Sequence, residues 1–221
     1  MTFFNDFFHA NRIKGFLAAE EGLALYEHAL TVATTGPCLE IGSYCGKSAV
    51  YLGRACQQTE NTLYAVDHHR GSEEHQPGEE YHDQDLYDAR ARQMDSFPAF
   101  RRTIRLAGLD DCVVPVVASS ELSLRHWATP LGLVFIDGGH SPAMAMADVT
   151  GWATKLAAGG LLCIHDIYPT PEEGGQGPRL AMQAVLDSGA FTLVNRVASL
   201  AVLQRSLRLF DAGESANCVR A

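Results

Sequence analysis

The chain has 221 residues, 47% of them hydrophobic, and a formal net charge of −9. That length and apolar content suit one domain with a large buried core. The acidic balance, with Lys and Arg scattered, argues against a nucleic-acid partner, and no apolar run approaches the about 18–20 residues that span a bilayer.

The first residues, MTFFNDFFHANRIKG, carry no basic leader and no long apolar stretch, so no secretory signal is expected. Phe3/Phe4 and Phe7/Phe8 can share one helical face. Packing against the domain is the plain expectation for them, and a lid or a homo-oligomer contact the alternative. The six cysteines form no C-x-x-C, and several lie in apolar strand-like runs. That fits a reducing, cytoplasmic setting.

Residues 15–30 place Leu17, Leu23, Leu25, Tyr26 and Leu30 on one helical face. PCLEIG (37–42) reads as a short buried strand, SAVYLGRAC (48–56) as the following helix, and NTLYAVD (61–67) as the second strand. A long polar segment, 68–94, follows. It carries His68, His69, Arg70, His75 and His82 among many acids, and reads either as a solvated loop or as a lid over an acceptor. FPAFRRTIRLAG (97–108), with Pro near its first turn and Gly at its end, predicts a helix. CVVPVV (112–117) and LGLVFID (131–137) are the third and fourth strands. SPAMAMADVTGWATKLAAGG (141–160) predicts a helix from a Ser cap to the paired glycines. LLCIHD (161–166) is the fifth strand. A helix over 178–188 and the strands FTLVN (191–195) and SLAVLQ (199–204) close the domain.

Strands alternating with helices predict a Rossmann-like, doubly wound α/β fold. Its seven-stranded sheet is mostly parallel, with helices on both faces. The expected division is an N-terminal helical segment (1–36), the main domain (37–205) and a frayed C-terminal tail (206–221). In such sheets ligands bind beyond the carboxyl ends of the strands. The residues that matter therefore follow Ile41, Val66, Val117, Ile136 and Ile164.

EIGSYCGKSAV (40–50) raises a choice at the first of these points. Gly42, Gly46, Lys47 and Ser48 give G-x-x-x-G-K-S, one residue short of a P-loop, and LVFIDGG (133–139) ends in an acid as a magnesium-holding strand would. Shortening the loop alters the whole phosphate nest, and Glu40 puts a carboxylate where a triphosphate would want none. G-x-G-x-x-G fails as well. The pattern E-x-G-x-x-x-G, with Asp67 ending the next strand, instead resembles class I S-adenosylmethionine-dependent methyltransferases. The resemblance runs from about residue 16 to 204. It implies S-adenosylmethionine as cofactor, held around Glu40, Gly42, Ser43, Gly46 and Ser48, with Asp67 accepting from the ribose hydroxyls and Asp137 as a further contact. Where relatives carry an Asp to meet adenine, this chain offers Ser119 or Ser120.

FIDGGH (135–140) and GGLLCIHD (159–166) narrow the resemblance to the metal-dependent sugar O-methyltransferases of macrolide biosynthesis. That implies a divalent cation, magnesium or manganese, at Asp137, His165 and Asp166, with His140 as general base. Relatives carry a carboxylate where His165 stands. An imidazole suits manganese better than magnesium. A cation lowers the cost of forming an alkoxide, and two adjacent hydroxyls chelate it, which points to a sugar or another small polyhydroxyl acceptor. YPTPEEGGQGP (168–178) is the expected opposite wall. Each residue also has a plain reading: Asp137 as a cofactor or substrate contact alone, His165 and Asp166 as caps, His140 as the neighbour of the Ser141 cap. Two other functions stay open: a cofactor-binding module without catalysis that acts through a partner, and a degenerate P-loop hydrolase.

Overall fold

The structure is a computed structural model and describes residues 2–71 and 83–207. Expectations for His75, His82 and their acidic neighbours, and for the tail beyond Leu207, lie outside these residues. Helix α1 (Thr2–Asn11) and helix α2 (Ala19–Thr31) precede strand β1 (Cys38–Ile41), helix α3 (Lys47–Gln58) and strand β2 (Leu63–Asp67). A small antiparallel ribbon, β3 (Tyr87–Asp88) with β4 (Gln93–Met94), leads into helix α4 (Phe97–Ala107). Then come β5 (Val113–Val117), α5 (Ser120–Arg125), β6 (Leu131–Ile136), α6 (Pro142–Ala153), β7 (Leu156–Ile164), α7 (Gly177–Asp187), β8 (Phe191–Val197) and β9 (Leu200–Arg205).

Seven strands form one sheet in the order β5-β2-β1-β6-β7-β9-β8. Pairings from β5 through β7 are parallel, and β9 runs antiparallel to both β7 and β8. The central strands are buried along their whole length, β1 and β6 at every residue. Sheets covered on both faces need such unbroken apolar runs. The alternation of side chains sorts them between two cores. Cys38, Leu63, Leu133 and Phe135 pack with α2, α3 and α4, while Leu39, Ile41, Val134 and Ile136 pack with α6 and α7.

The first crossover reverses beside β1, so chain ends from β1, β2, β6 and β7 meet at one edge of the sheet. Ser141 caps α6, its Oγ accepting the Met144 N–H at 3.4 Å, and Gly108 closes α4 in the left-handed region at φ 63°. Several elements depart from expectation. Helix α6 stops at Ala153 and β7 starts at Leu156, before the paired glycines. Leu156 pairs with Leu131 and is buried, so sheet pairing outcompetes helix continuation there. Helix α2 begins at Ala19, where the Glu21 carboxylate accepts the Ala18 N–H at 3.0 Å. The short helix α5 and the β3–β4 ribbon are local turns without an apolar period to announce them.

Among the described residues no helix is long and apolar enough to cross a membrane. Five cysteines, Cys38, Cys45, Cys56, Cys112 and Cys163, are free and buried. Of the N-terminal aromatics, Phe4 and Phe8 are buried against the domain, with ring centres 4.3 and 5.3 Å from that of Tyr51, while Phe3 is exposed. Phe8→Ala should therefore cost about 3 kcal/mol, as for buried Phe elsewhere. A lower urea midpoint at unchanged m-value is the expected readout. An unchanged midpoint would mean α1 folds apart from the cooperative unit.

Candidate active site

The turn between β1 and α3 is shaped by two positive-φ glycines, Gly42 and Gly46, both at φ 88°. A Cβ on Gly42 would lie 2.0 Å from the Asp137 carbonyl oxygen, so only Gly lets the ends of β1 and β6 touch. Asp67, at the end of β2, holds this turn. Its Oδ2 accepts the Ser43 and Tyr44 N–H groups at 3.0 and 2.8 Å, and its Oδ1 accepts the His69 N–H at 2.7 Å. Hydrogen bonds to an ionised acceptor are the strong kind.

Glu40 lies beneath the turn, fully buried, and neither of its oxygens makes a well-formed hydrogen bond. Burial pushes its carboxyl up to about 8, against the nearby Ser48 and Ser43 hydroxyls and with help from Asp137 and Asp67. Lys47, the lysine of the P-loop-like triplet, points away from the turn. Its Nζ donates to the Gly15 carbonyl at 3.3 Å and lies 5.9 Å from the centre of the Phe8 ring.

At the ends of β6 and β7 the side chains form a charged cluster. His165 is 6% exposed. Its Nε2 lies 3.0 Å from Glu21 Oε2, and its Nδ1 lies 3.1 Å from Asp137 Oδ1 and 3.2 Å from Asp166 Oδ2. Burial works to lower the His165 pKa. The Asp137 charge and hydrogen bonds to Asp137, Asp166 and Glu21 outweigh it and raise the pKa far above the ordinary range. Both ring nitrogens of His165 therefore face carboxylate oxygens, which accept, so in this arrangement both are engaged as donors.

Burial likewise opposes ionisation of Glu21, yet hydrogen bonds from His165 and Ser199 lower its carboxyl to about 2. Ser199 donates to Glu21 Oε1 from both its backbone N–H, at 2.9 Å, and its hydroxyl, at 2.7 Å. Asp166 adopts a left-handed φ of 57°, uncommon for a residue with a Cβ. Its Oδ2 lies 2.8 Å from His140 Nε2, and its Oδ1 accepts the Tyr168 hydroxyl at 2.9 Å. Against burial, the His140 and His165 hydrogen bonds hold Asp166 well below the usual carboxylate range.

A cavity of about 1180 Å³ joins the turn to this cluster. Gly42, Ser43, Ser48, Asp67, Ser119, Asp137, His140, His165 and Asp166 all line it, while Glu40 and Gly46 do not. Glu40 stands behind the turn, and Gly46 serves by its backbone conformation. Atoms able to ligate a metal converge from Asp137, His140 and Asp166, all within 4.8 Å of one another. His165, expected among the ligands, stands behind that group. Ser119 caps α5, accepting the Leu122 N–H at 3.2 Å. Part of the expected opposite wall is there, from Tyr168 and Gly174.

Glu21, Tyr168 and Asp148 also line the cavity and carry no motif. Glu21 did leave a signal. It lies four residues from both Leu17 and Leu25 on the apolar stripe, where an acid must be either paired or neutral.

A family described as a methyltransferase domain matches residues 39–167, which span β1 to the end of the acid cluster. The chain belongs to this methyltransferase family. The methyltransferase also shares its fold with solved structures of low identity. "Crystal structure of cofactor-bound Rv0187 from MTB" is 16% identical, with a TM-score of 0.65 over 93% of this chain and 88% of that one. The O-methyltransferase TomG from Streptomyces achromogenes, solved with SAM, is 16% identical with a TM-score of 0.62, covering 92% of this chain and 89% of that one. An O-methyltransferase from Bacillus cereus, in complex with SAH, is 15% identical with a TM-score of 0.64, over 93% and 91%. Two of these relatives were solved with SAM or SAH bound, and the chain shares their fold, as expected of a SAM-dependent methyltransferase.

The methyltransferase should lose stability in acid partly through Glu21. A carboxylate whose folded pKa is depressed, here to about 2 from 4.5, contributes stability above its unfolded pKa and loses it as pH falls. Glu21→Gln should lower the urea midpoint at neutral pH and flatten its fall between about pH 5 and pH 3. Parallel curves for the two proteins would remove Glu21 from the account.

Proposed function

We propose that this methyltransferase transfers the methyl group of S-adenosylmethionine to a hydroxyl oxygen of a small polyhydroxyl acceptor such as a sugar, with His140 as general base. One observation carries the reading. His140, at the cavity wall, lies 2.8 Å from Asp166, a carboxylate already fixed by Tyr168 and His165.

The donor end has the features the methyl donor requires. An ionised carboxylate offers about four acceptor sites, and Asp67 spends three on backbone N–H groups, leaving one for a ribose hydroxyl. Ser43 Oγ is buried in the turn without a well-formed hydrogen bond of its own, and Gly42 keeps the backbone open to close approach. S-adenosylmethionine supplies an electrophilic methyl group when bound. The protein orients the acceptor oxygen toward it and excludes water, which is largely a matter of positioning.

At the acceptor end, His140 removes the hydroxyl proton as the new bond forms. Asp166 stabilises the imidazolium that results, as a carboxylate does in other His–Asp pairs. Tyr168 and His165 keep Asp166 from turning away. Polar groups from Asp137, His140, Asp166, Tyr168 and Ser199 face this part of the cavity, which suits an acceptor with several hydroxyls.

A divalent cation fits the donor set as an assistant. Asp137 and Asp166 would hold it. In formal charge, Glu21, Asp137 and Asp166 bring three negatives against one positive on His165, so the cluster remains attractive to a cation. The cation would supply charge that lowers the cost of deprotonating the acceptor. The two carboxylates are oxygen ligands, which suit magnesium and manganese alike. His140 cannot ligate and accept a proton at once, and its short contact with Asp166 supports the base role.

The same fold in TomG and in the Bacillus cereus O-methyltransferase supports an oxygen acceptor. The expected N-terminal segment (1–36) then serves as a wall of the site rather than a separate unit, since Leu17 and Glu21 reach the cavity.

The test begins with transfer from labelled S-adenosylmethionine to a panel of sugars with vicinal hydroxyls, with catechols alongside. His140→Ala should lower the single-turnover rate by about 10²–10⁴-fold, the usual contribution of a general base, and leave S-adenosylhomocysteine affinity unchanged. A mutant with the wild-type rate would move the base role elsewhere. Exhaustive chelation should reduce turnover, and add-back of magnesium or manganese should restore it. Full turnover in protein shown to be metal-free would leave the His140–Asp166 pair to act alone.

A further inference from the structure

Glycine carries a cost in a folded chain, because it gives up more backbone freedom on folding than any residue with a Cβ. Among the described residues every glycine but one has a structural reason to be there. Either its φ is positive, as at Gly42, Gly46 and Gly71, or an added Cβ would come within 3.1 Å of a neighbour, as at Gly138, Gly139 and Gly174. The exception is Gly175. Its φ is not positive, and the nearest atom to an added Cβ is the His140 Cβ, at 3.9 Å. That is ordinary van der Waals separation, so backbone and packing both admit alanine at this position.

Gly175 lines the main cavity, and its place there is set from both sides. Gly174 packs so closely on the Tyr168 ring that a Cβ would collide with it, and the Tyr168 hydroxyl donates to Asp166 at 2.9 Å. Gln176 Nε2 donates to the Gly174 and Tyr168 carbonyls, at 3.0 and 3.4 Å. Gly177, the first residue of α7, packs as closely on the His140 carbonyl. The bare backbone at Gly175 is thus held at one place, beside the root of His140.

The inference rests on the proposed methyl transfer to a hydroxyl at His140. A hydroxyl that reaches His140 brings its carbon, and whatever that carbon carries, to the same wall. A primary hydroxyl ends a chain and needs room for one carbon branch. A secondary hydroxyl on a ring needs room for two. We propose that Gly175 determines which acceptor hydroxyl reacts: the space its absent side chain leaves beside His140 receives the second carbon branch of a secondary, ring-borne hydroxyl. A side chain at this position crowds that branch and still lets a primary hydroxyl approach. Glycine here gives up stability for access, as residues at functional positions commonly do.

The experiment uses the whole enzyme with two acceptors. Methyl glucoside bears one primary and several secondary hydroxyls, and ethylene glycol bears vicinal hydroxyls that are all primary. Labelled S-adenosylmethionine reports the rates, and NMR of the product locates the new methyl group. Wild type should methylate a secondary hydroxyl of the glucoside. Gly175→Val should lower kcat/KM for the glucoside relative to ethylene glycol by about tenfold or more, the scale on which a pocket discriminates by size. Its residual glucoside product should shift toward the primary position. Gly175→Ala should move both readouts the same way by less, with a urea midpoint at or above that of wild type, since alanine restricts the unfolded chain. S-adenosylhomocysteine affinity, by calorimetry, should be unchanged in both variants. Should Gly175→Val lose that affinity, Gly175→Ala carries the test. An unchanged ratio and product position, or wild-type methylation at the primary hydroxyl, overturns the role of Gly175 and leaves the transfer itself in place. If wild type binds S-adenosylhomocysteine and methylates neither acceptor, the acceptor reading falls and this inference with it.

Discussion

A buried imidazolium shared by three carboxylates is the constraint on which this site depends. His165 sits at the end of β7 and contacts Glu21 from α2, Asp137 from the end of β6, and its own neighbour Asp166. Each of these charges would be costly to bury alone, by several kcal/mol even after relaxation. Together they are tolerable, provided every one keeps its partner. The network therefore couples elements far apart in sequence. Glu21 also accepts from Ser199 in the β8–β9 turn and from Ala18 at the start of α2, so one carboxylate ties α2 to the antiparallel end of the sheet.

The strand ends use one device twice. Asp67 anchors the turn after β1 by accepting backbone N–H groups, while Asp166 anchors the reactive corner by accepting from side chains. Each carboxylate is ordered before any ligand arrives, and ordering groups in advance lowers what binding must later cost. Asp166 does so from a left-handed backbone, which costs on the order of 1 kcal/mol for a residue with a Cβ. A strained position persists where its surroundings hold it. Here the three hydrogen bonds from His140, His165 and Tyr168 do so.

The fold was largely legible because the central strands are unbroken apolar runs and the helices carry ordinary start and stop residues. CLEI and LGLVFI cannot be solvent-facing, and Ser141-Pro142 and Gly108 mark helix ends by local chemistry. The start of β7 was not legible. Lys155 to Gly160 has no helix-breaking residue before the glycines, and only pairing with Leu131 across the sheet decides its state. The site divides in the same way. The turn, Asp67, Asp137, His140 and Asp166 follow from strand ends, which are local. The position of His165 depends on Glu21, 144 residues away, and no spacing rule encodes that contact. The lysine of the G-K-S triplet, set aside in the sequence when the loop proved one residue short of a P-loop, donates to the Gly15 carbonyl rather than to the turn.

The walls of the cavity differ in how firmly they are held. The acid end is fixed by buried, multiply bonded charges. Among the described residues, the rim from Lys14 to Phe16 is held by Lys14 with Asp83 and Asp85, at 2.6 and 2.9 Å, and by Phe16 against Tyr44 with ring centres 5.7 Å apart. Lys14 is 39% exposed in its side chain, Asp83 20% and Asp85 84%, so only the Lys14–Asp85 pair is an exposed one. Exposed ion pairs contribute only about 0–1 kcal/mol, and they weaken with salt. Phe16 is itself 64% exposed. The reacting groups are thus set by a network that tolerates little change, whereas the nearby wall can adjust at small cost.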